Sequence, residues 1–192
     1  MASFQLRTCL LCCLLFITIL QPVAGLRTYK TIPIVKNVIT QSNPKYLNAT
    51  TVAHNTPTEH KVDLILDVKR PMSNLHMTFV VWINVISGAL QAPLHNQTFD
   101  FCEFLKNPSM HRFGQIIHRE VKRNGNMPRN CPITTDVYAF YGIPMATVWL
   151  PNFLPETDFI MQIFLRTTNE LIYDARWYGT IKRIKCSRAN RC

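Results

Sequence analysis

The chain of 192 residues carries 21 Lys and Arg against 11 Asp and Glu, so its formal net charge is +10 at pH 7. Hydrophobic residues make up 47% of the sequence, which excludes a disordered chain and suits one domain with a core of ordinary size. The basic excess favours an anionic partner, such as an acidic membrane surface or an acidic receptor.

The first 25 residues have the pattern of a secretory signal peptide. Arg7 provides a positive charge, residues 9–20 form an apolar run, and small residues at 23–25 suit cleavage. The run is too short to span a membrane, which takes about 20 apolar residues. We therefore predict a signal peptide at 1–25 and a single secreted, extracellular domain at 26–192, with no nucleic-acid partner. The alternative is an uncleaved N-terminal anchor.

Four cysteines follow the predicted cleavage site: Cys102, Cys131, Cys186 and Cys192. An even number in a secreted chain is typical of disulfides, and four cysteines allow three pairings. We expect Cys102 to pair with Cys131, because a helix between them can fold back and bring its ends together. Cys186 and Cys192 could close a small loop or pair between chains. Beyond the predicted signal peptide no CxxC or HxxxH pair is present, and we expect no metal site.

Two sequons, at Asn48 and Asn96, mark candidate glycosylation sites. A glycan must lie on the surface, so both asparagines are predicted to be exposed. A third asparagine, Asn55, lacks the Ser or Thr that a sequon requires two residues later.

Alternating apolar and polar residues predict β-strands on both sides of the central cysteine pair. Residues 61–69 and 75–87 alternate regularly, and we expect them to form a hairpin with their apolar faces together. Residues 26–45 predict an extended arm or an edge strand. Further strands are predicted at 46–54, 133–141, 146–150, 158–167 and 171–184, followed by a basic tail at 185–192.

The segment at about 102–123 has helical spacing instead, and it predicts a helical flap. Asn107 and Pro108 suit the end of one helix and the start of another. One reading is an amphipathic helix that covers a sheet edge with its basic side in solvent. The alternative is a helix at the mouth of a cavity, where its basic residues meet an anionic headgroup. About seven strands with this one insertion predict an all-β, immunoglobulin-like antiparallel sandwich.

The layout from about residue 45 to 184 resembles a large insect family of secreted proteins with no assigned function. The matching features are residues 102–105 (CEFL), 125–132 (GNMPRNCP), 150–151 (LP), and the last strand with Gly179 and Ile181. That family is similar to chemosensory proteins of the ganglioside-activator-like type, in the lipid-recognition superfamily. The resemblance implies a sandwich that opens to hold a lipid between its sheets. Family members often carry an early cysteine, and residues 26–101 contain none, which leaves the partner of Cys186 open.

The sequence offers no catalytic motif. A Gly-x-Ser-x-Gly elbow and a phosphate-binding loop are both missing, and acidic residues are sparse, so we expect no enzyme and no cofactor. Large apolar residues suit either a packed core or an adaptable pocket.

We expect a non-catalytic binding protein for a lipid or another hydrophobic small molecule, captured between the two sheets near the flap. The predicted ligand-binding residues are Phe104, Phe113, Ile117, Phe153 and Leu154 at the mouth, with Arg112 and Arg119 for a headgroup. The alternative is a cavity-less extracellular interaction module that recognises an acidic partner through its basic face.

Overall fold

The computed structural model describes residues 29–83, 92–148 and 150–186. Tyr29–Lys185 forms one compact unit. The predicted signal peptide and most of the predicted tail lie outside the described residues. Among the residues described, none of the helices has the length and apolar character to cross a membrane.

Two antiparallel sheets build the unit Tyr29–Lys185, which confirms the predicted all-β sandwich. A five-stranded sheet has the order β1-β8-β7-β4-β5, and a three-stranded sheet has the order β2-β3-β6. The strands in the described part of the chain are β1 (Tyr29–Ser42), β2 (Leu47–Asn55), β3 (His60–Val68), β4 (His76–Ile83), β5 (His95–Asp100), β6 (Val137–Pro144), β7 (Thr157–Arg166) and β8 (Leu171–Lys185).

The predicted hairpin of residues 61–69 and 75–87 is wrong. β3 pairs with β2 and β6, whereas β4 pairs with β5 and β7. The two strands therefore belong to different sheets, and their apolar faces meet across the sandwich. Alternation identifies the buried face of each strand, but it does not say whether two such faces lie side by side or opposite each other.

Residues 146–150 do not form the predicted strand. Met145–Thr147 is a 3₁₀ turn, in which the Thr147 hydroxyl oxygen lies 2.7 Å from the carbonyl oxygen of Pro144. Among the residues of this run that the structure describes, only Leu150 joins a sheet, through an isolated bridge to Thr31. Pro144 ends β6 and Pro151 directly follows Leu150, and a proline cannot donate to a strand ladder, so the run between them has little room for a strand of its own.

Helices occupy the segment predicted as the flap, residues 102–123. α1 (Phe101–Lys106) begins after Asp100, whose side chain accepts a hydrogen bond from the Glu103 backbone at 2.9 Å. A 3₁₀ turn at Pro108–Met110 follows, and α2 (Arg112–Arg123) comes next. The break falls at the predicted Asn107 and Pro108, although the second α-helix starts four residues after Pro108.

The flap bridges the gap between the two sheets on one side of the sandwich. It starts directly after β5, an edge of the five-stranded sheet, and Gly125 beyond α2 bridges to Phe140 of β6, an edge of the three-stranded sheet. The opposite side is closed by β1 and β2, where Thr40 and Thr51 are joined at 3.2 Å. The flap is therefore the element that closes the interior on its side.

A disulfide between Cys102 and Cys131 anchors this flap, as predicted, and its two positions have a sequence separation of 29. An adjacent bridge between Met72 and Ile133 holds the returning chain against the segment that links β3 to β4. Cys186 is also disulfide-bonded. The sequence left its partner open, and Cys192, one of the alternatives, lies outside the described residues.

Candidate binding cavity between the sheets

A cavity of ≈ 260 Å³ lies between the two sheets and beneath the flap. Its wall is formed by inward residues of both sheets and by the inner side of the flap. Representative residues are Leu64 and Leu66 of β3, Phe79 and Val81 of β4, Met161 and Ile163 of β7, and Ile117 and Val121 of α2. Aliphatic and aromatic side chains make up nearly all of this wall.

The burial pattern along β3 shows where the interior is hollow. Val62 and Val68, at the ends of the strand, are 0% and 3% exposed. Leu64 and Leu66 face the same way between them, yet both are only half-buried. Their remaining surface faces the cavity, which they line. The space therefore lies at the middle of the strands, where a packed core would have its most buried residues.

Hydroxyl groups of the wall are occupied by neighbouring protein groups. The Tyr138 hydroxyl pairs with the Thr134 hydroxyl at 2.9 Å, and the buried Tyr173 hydroxyl bonds to Thr40 and Thr51. Among the described wall residues, none is a lysine or an arginine. The surface offered to a ligand is therefore almost entirely carbon.

Glu120 is a buried acid in the same wall, only 2% exposed. One carboxylate oxygen accepts from Arg119 Nε at 3.0 Å and from Arg123 Nη1 at 3.2 Å. The other oxygen accepts from the Thr147 hydroxyl at 2.8 Å. These bonds compensate the buried charge and tie α2 to the 3₁₀ turn after β6.

Sequence reasoning missed Glu120, although its position carried a signal. It falls three to four residues after Ile116 and Ile117, which places an acid within the apolar stripe of α2. The same contact engages Arg119, which was predicted to meet a ligand headgroup, with a carboxylate of the protein itself.

Two histidines contribute aromatic surface beneath the flap. His118 lines the cavity and meets Phe104 edge-on, with ring centroids 5.5 Å apart. Burial, and then the charge of Lys122, lower the pKa of His118 below its ordinary value, which favours the neutral ring. His111 stacks on Phe99 at 4.4 Å. No group of metal-ligating side chains occurs in the described ranges of the chain.

Some of the predicted ligand-binding residues line the cavity, and others lie outside it. Phe104, Ile117 and Leu154 line the cavity. Phe153 is 78% exposed and lies outside the described wall, and Arg112 is exposed outside it as well. The side chain of Phe113 lies outside the part of the structure that is described.

Phe153 points to solvent and Leu154 points inward, because a distant arginine holds the turn that contains them. Arg183 Nη2 donates to the carbonyls of Asn152 and Leu154, each at 3.3 Å. This brace fixes Leu154 inward at 4% exposure and leaves Phe153 in solvent. The sequence predicted both residues at the cavity mouth. It did not reveal their different directions, because Arg183 is distant along the chain.

Both sequon asparagines are exposed, and each lies on a strand at the edge of its sheet. Asn48 is on β2 and Asn96 is on β5. Surface position satisfies the requirement for a glycan at either residue. A glycan there would also shield an unpaired strand edge from other chains.

The protein should lose stability above pH 10, because the hydroxyl of Tyr173 is buried. Burial raises the pKa of Tyr173 to about 12, from an ordinary value of 10.0. The Tyr173 hydroxyl therefore ionises at a lower pH in the unfolded chain than in the folded protein. Its contribution to the free energy of unfolding is complete below pH 10 and is lost as pH rises towards 12. The expected loss is about 3 kcal/mol, measured as the free energy of unfolding in a denaturant titration at each pH.

The Tyr173→Phe variant should lack this part of the pH dependence, and Tyr141→Phe provides the matched control. Tyr141 is 60% exposed, so its replacement should leave the pH dependence unchanged. Equal slopes for wild type and Tyr173→Phe between pH 10 and 12 would show that the Tyr173 hydroxyl is not buried as described.

The segment that builds the flap also carries the match to a known protein family. Residues 77–161 match the model of a family described as "Protein of unknown function (DUF1091)". The matched region runs from β4 into β7, so both helices and the Cys102–Cys131 disulfide lie within it. This match is consistent with the predicted uncharacterised family. No curated protein matches the chain.

Proposed function

We propose that this protein is a secreted, non-catalytic binding protein for a hydrophobic small molecule, held between its two sheets. The observation that supports this function best is the cavity of ≈ 260 Å³ with its carbon wall. A buried water needs two to four polar partners, and such a wall supplies few of them. An apolar cavity of about 150 Å³ stays dry and admits benzene, so this cavity has room for a larger hydrocarbon.

The energetic cost of an empty cavity supports the same function. Residual cavity volume destabilises a core by about 24 cal/mol per Å³, so ≈ 260 Å³ corresponds to about 6 kcal/mol. Such a cost is a large share of the 5–15 kcal/mol by which domains are usually stable. A bound hydrocarbon would restore the missing contacts. A protein that binds its partner only through its outer surface would bear the energetic cost of this cavity without any gain in binding.

We place the mouth of the cavity beside Leu94. This residue lines the cavity and is also 49% exposed, which makes it a point where the described wall reaches solvent. Leu94 directly precedes β5, the strand that leads into the flap. A ligand that enters here would pass between the five-stranded sheet and α2.

The wider setting of this function has separate support. Secretion is supported by the signal-peptide pattern of residues 1–25 and by the Cys102–Cys131 disulfide, a bond that persists in oxidising compartments. Glycosylation at Asn48 and Asn96 is supported by their exposure. A chemosensory role, an insect origin and a relationship to ganglioside-activator-like proteins rest on the sequence resemblance alone.

A homologous series of straight-chain methyl ketones tests the proposed function. Each added methylene should strengthen binding by about 0.8 kcal/mol, roughly fourfold, until the cavity is full. Longer chains should then bind more weakly, because an enclosed wall sets a limit on length. Affinity is measured by displacement of a lipophilic fluorescent probe from delipidated protein. Affinity that rises without a limit would indicate an open surface patch, and no binding at any length would contradict the proposal.

A further inference from the structure

The outer side of α2 is a basic surface. Spacings of three, four and seven residues place four cations on one side of this helix, at Arg112, Arg119, Lys122 and Arg123. Arg119 and Arg123 keep 53% and 64% of their side-chain surface exposed, and the other two are exposed as well. Glu120, the one acid in the sequence of α2, is buried on the inner side. We call the four cations the basic face of α2.

Glu120 holds two of these arginines in place. One of its carboxylate oxygens accepts from Arg119 Nε and Arg123 Nη1, while Thr147 holds the other oxygen at 2.8 Å. In the described structure, the two Nη groups of Arg119 and the Nε and Nη2 of Arg123 stay outside these bonds. A guanidinium group that is already positioned loses less side-chain entropy when it binds an anion. The buried carboxylate therefore prepares both arginines for an anionic partner.

The stability of the helix explains only part of this charge pattern. Lys122 and Arg123 lie in the last turn, where the helix dipole favours cations. Arg112 occupies the first helical position, where the dipole favours an acid, and the first turn contains no acid. Arg119 and Lys122 are like charges three residues apart, which weakens a helix. A surface that serves only solubility mixes both signs of charge, so this excess of one sign indicates recognition of an anion.

We propose that the basic face of α2 binds a sulfated extracellular polysaccharide. The apolar side of α2, with Ile117 and Val121, is turned to the cavity, so it is not offered to a membrane or to the apolar core of a protein interface. Binding at this face therefore relies on charge, and guanidinium groups bind tetrahedral oxyanions such as sulfate through paired hydrogen bonds. The face runs roughly 16 Å along the helix, which suits a linear polyanion. This inference rests on the proposed secretion and not on the cavity.

Surface plasmon resonance of the purified protein on immobilised heparin tests this inference. Wild type should bind heparin, with an affinity that falls steeply as salt is added, and it should bind desulfated heparin much more weakly. The double variant Arg112→Gln/Lys122→Gln should lose about tenfold in affinity, because two exposed charge contacts are removed. Both residues are exposed and neither contacts Glu120, so the fold should be unchanged.

A second double variant controls for net charge. Arg176→Gln/Lys182→Gln also removes two exposed cations, but from β8 of the five-stranded sheet. This control should keep wild-type affinity for heparin. Equal losses in the two double variants would overturn the inference, because the contact would then depend on net charge and not on the basic face of α2.

The remaining outcomes concern the partner. If wild type does not bind heparin, or binds desulfated heparin equally well, the inference is overturned. Vesicles of phosphatidylcholine with phosphatidylserine are measured in parallel. If they bind as tightly as heparin and lose the same affinity in Arg112→Gln/Lys122→Gln, the face recognises a membrane and the inference is overturned as well. The proposed hydrophobic ligand stands in each of these cases, because its binding is measured separately with the fluorescent probe.

Discussion

Replacing Leu64 by tryptophan should weaken ligand binding roughly 50-fold while the protein stays folded. Leu64 is a half-buried wall residue at the middle of β3, so a larger ring there occupies space that the ligand needs. A tryptophan displaces roughly three ligand methylenes, which corresponds to a loss of about 2.4 kcal/mol, or roughly 50-fold in affinity. The ligand-free variant should gain about 1 kcal/mol in free energy of unfolding, because part of the void is filled.

The neighbouring residue provides the control. Ile65 lies on the same strand but points to the opposite face, and it is not among the wall residues. Ile65→Trp should therefore keep wild-type affinity for the fluorescent probe. Equal uptake by wild type and Leu64→Trp would place the ligand somewhere other than the cavity. Loss of uptake in both variants would point to general damage of the three-stranded sheet.

Removing the Cys102–Cys131 disulfide should cost about 3.5 kcal/mol of stability. The bond closes a loop with a sequence separation of 29 residues, and this figure follows from the chain entropy it removes from the unfolded state. Replacing both cysteines by alanine avoids a free thiol. At roughly 2–4 °C per kcal/mol for a domain of this size, the melting temperature should fall by roughly 10 °C.

The same variant should also release the ligand faster, because the disulfide anchors the start of α1. The measurements are thermal unfolding and the dissociation rate of the fluorescent probe, compared with wild type under oxidising and reducing conditions. Reduced wild type should approach the double variant in both. If the double variant loses less than about 1 kcal/mol, the packing of Phe104 and Leu105, which are 4% and 7% exposed, holds the flap without the disulfide.

The elements of the fold could be predicted from the sequence, because each depends on local pattern. Alternation in residues 61–69 and 158–167 identified β3 and β7 and their inward faces. Asn107 and Pro108 located the break in the flap. Cys102 and Cys131 were paired correctly, because the segment between them is helical and the chain must return. The pairing of strands is a property of distant segments, and the predicted hairpin of β3 and β4 was wrong for that reason.

The pattern of residues did not by itself predict the hollow interior, which only the family resemblance implied, since a cavity depends on how far apart the sheets stand. Val62 and Leu64 obey the same alternation, yet one is completely buried and the other borders the cavity. The role of Glu120 depends on Thr147, which follows it by 27 residues, and Leu154 is turned inward by Arg183, 29 residues away. Contacts of this kind decide which apolar residues reach a ligand.

Native mass spectrometry of the glycoprotein secreted from insect cells tests the central claim most directly, because it examines the cavity before any ligand is added. The wild-type protein should carry excess mass that is lost on denaturation and extracts into organic solvent as a hydrocarbon-like molecule. The Leu64→Trp variant, secreted in parallel, should carry much less of it. A bare wild-type mass, unchanged after incubation with a mixed lipid extract, would contradict the account and favour an interaction module that recognises an acidic partner.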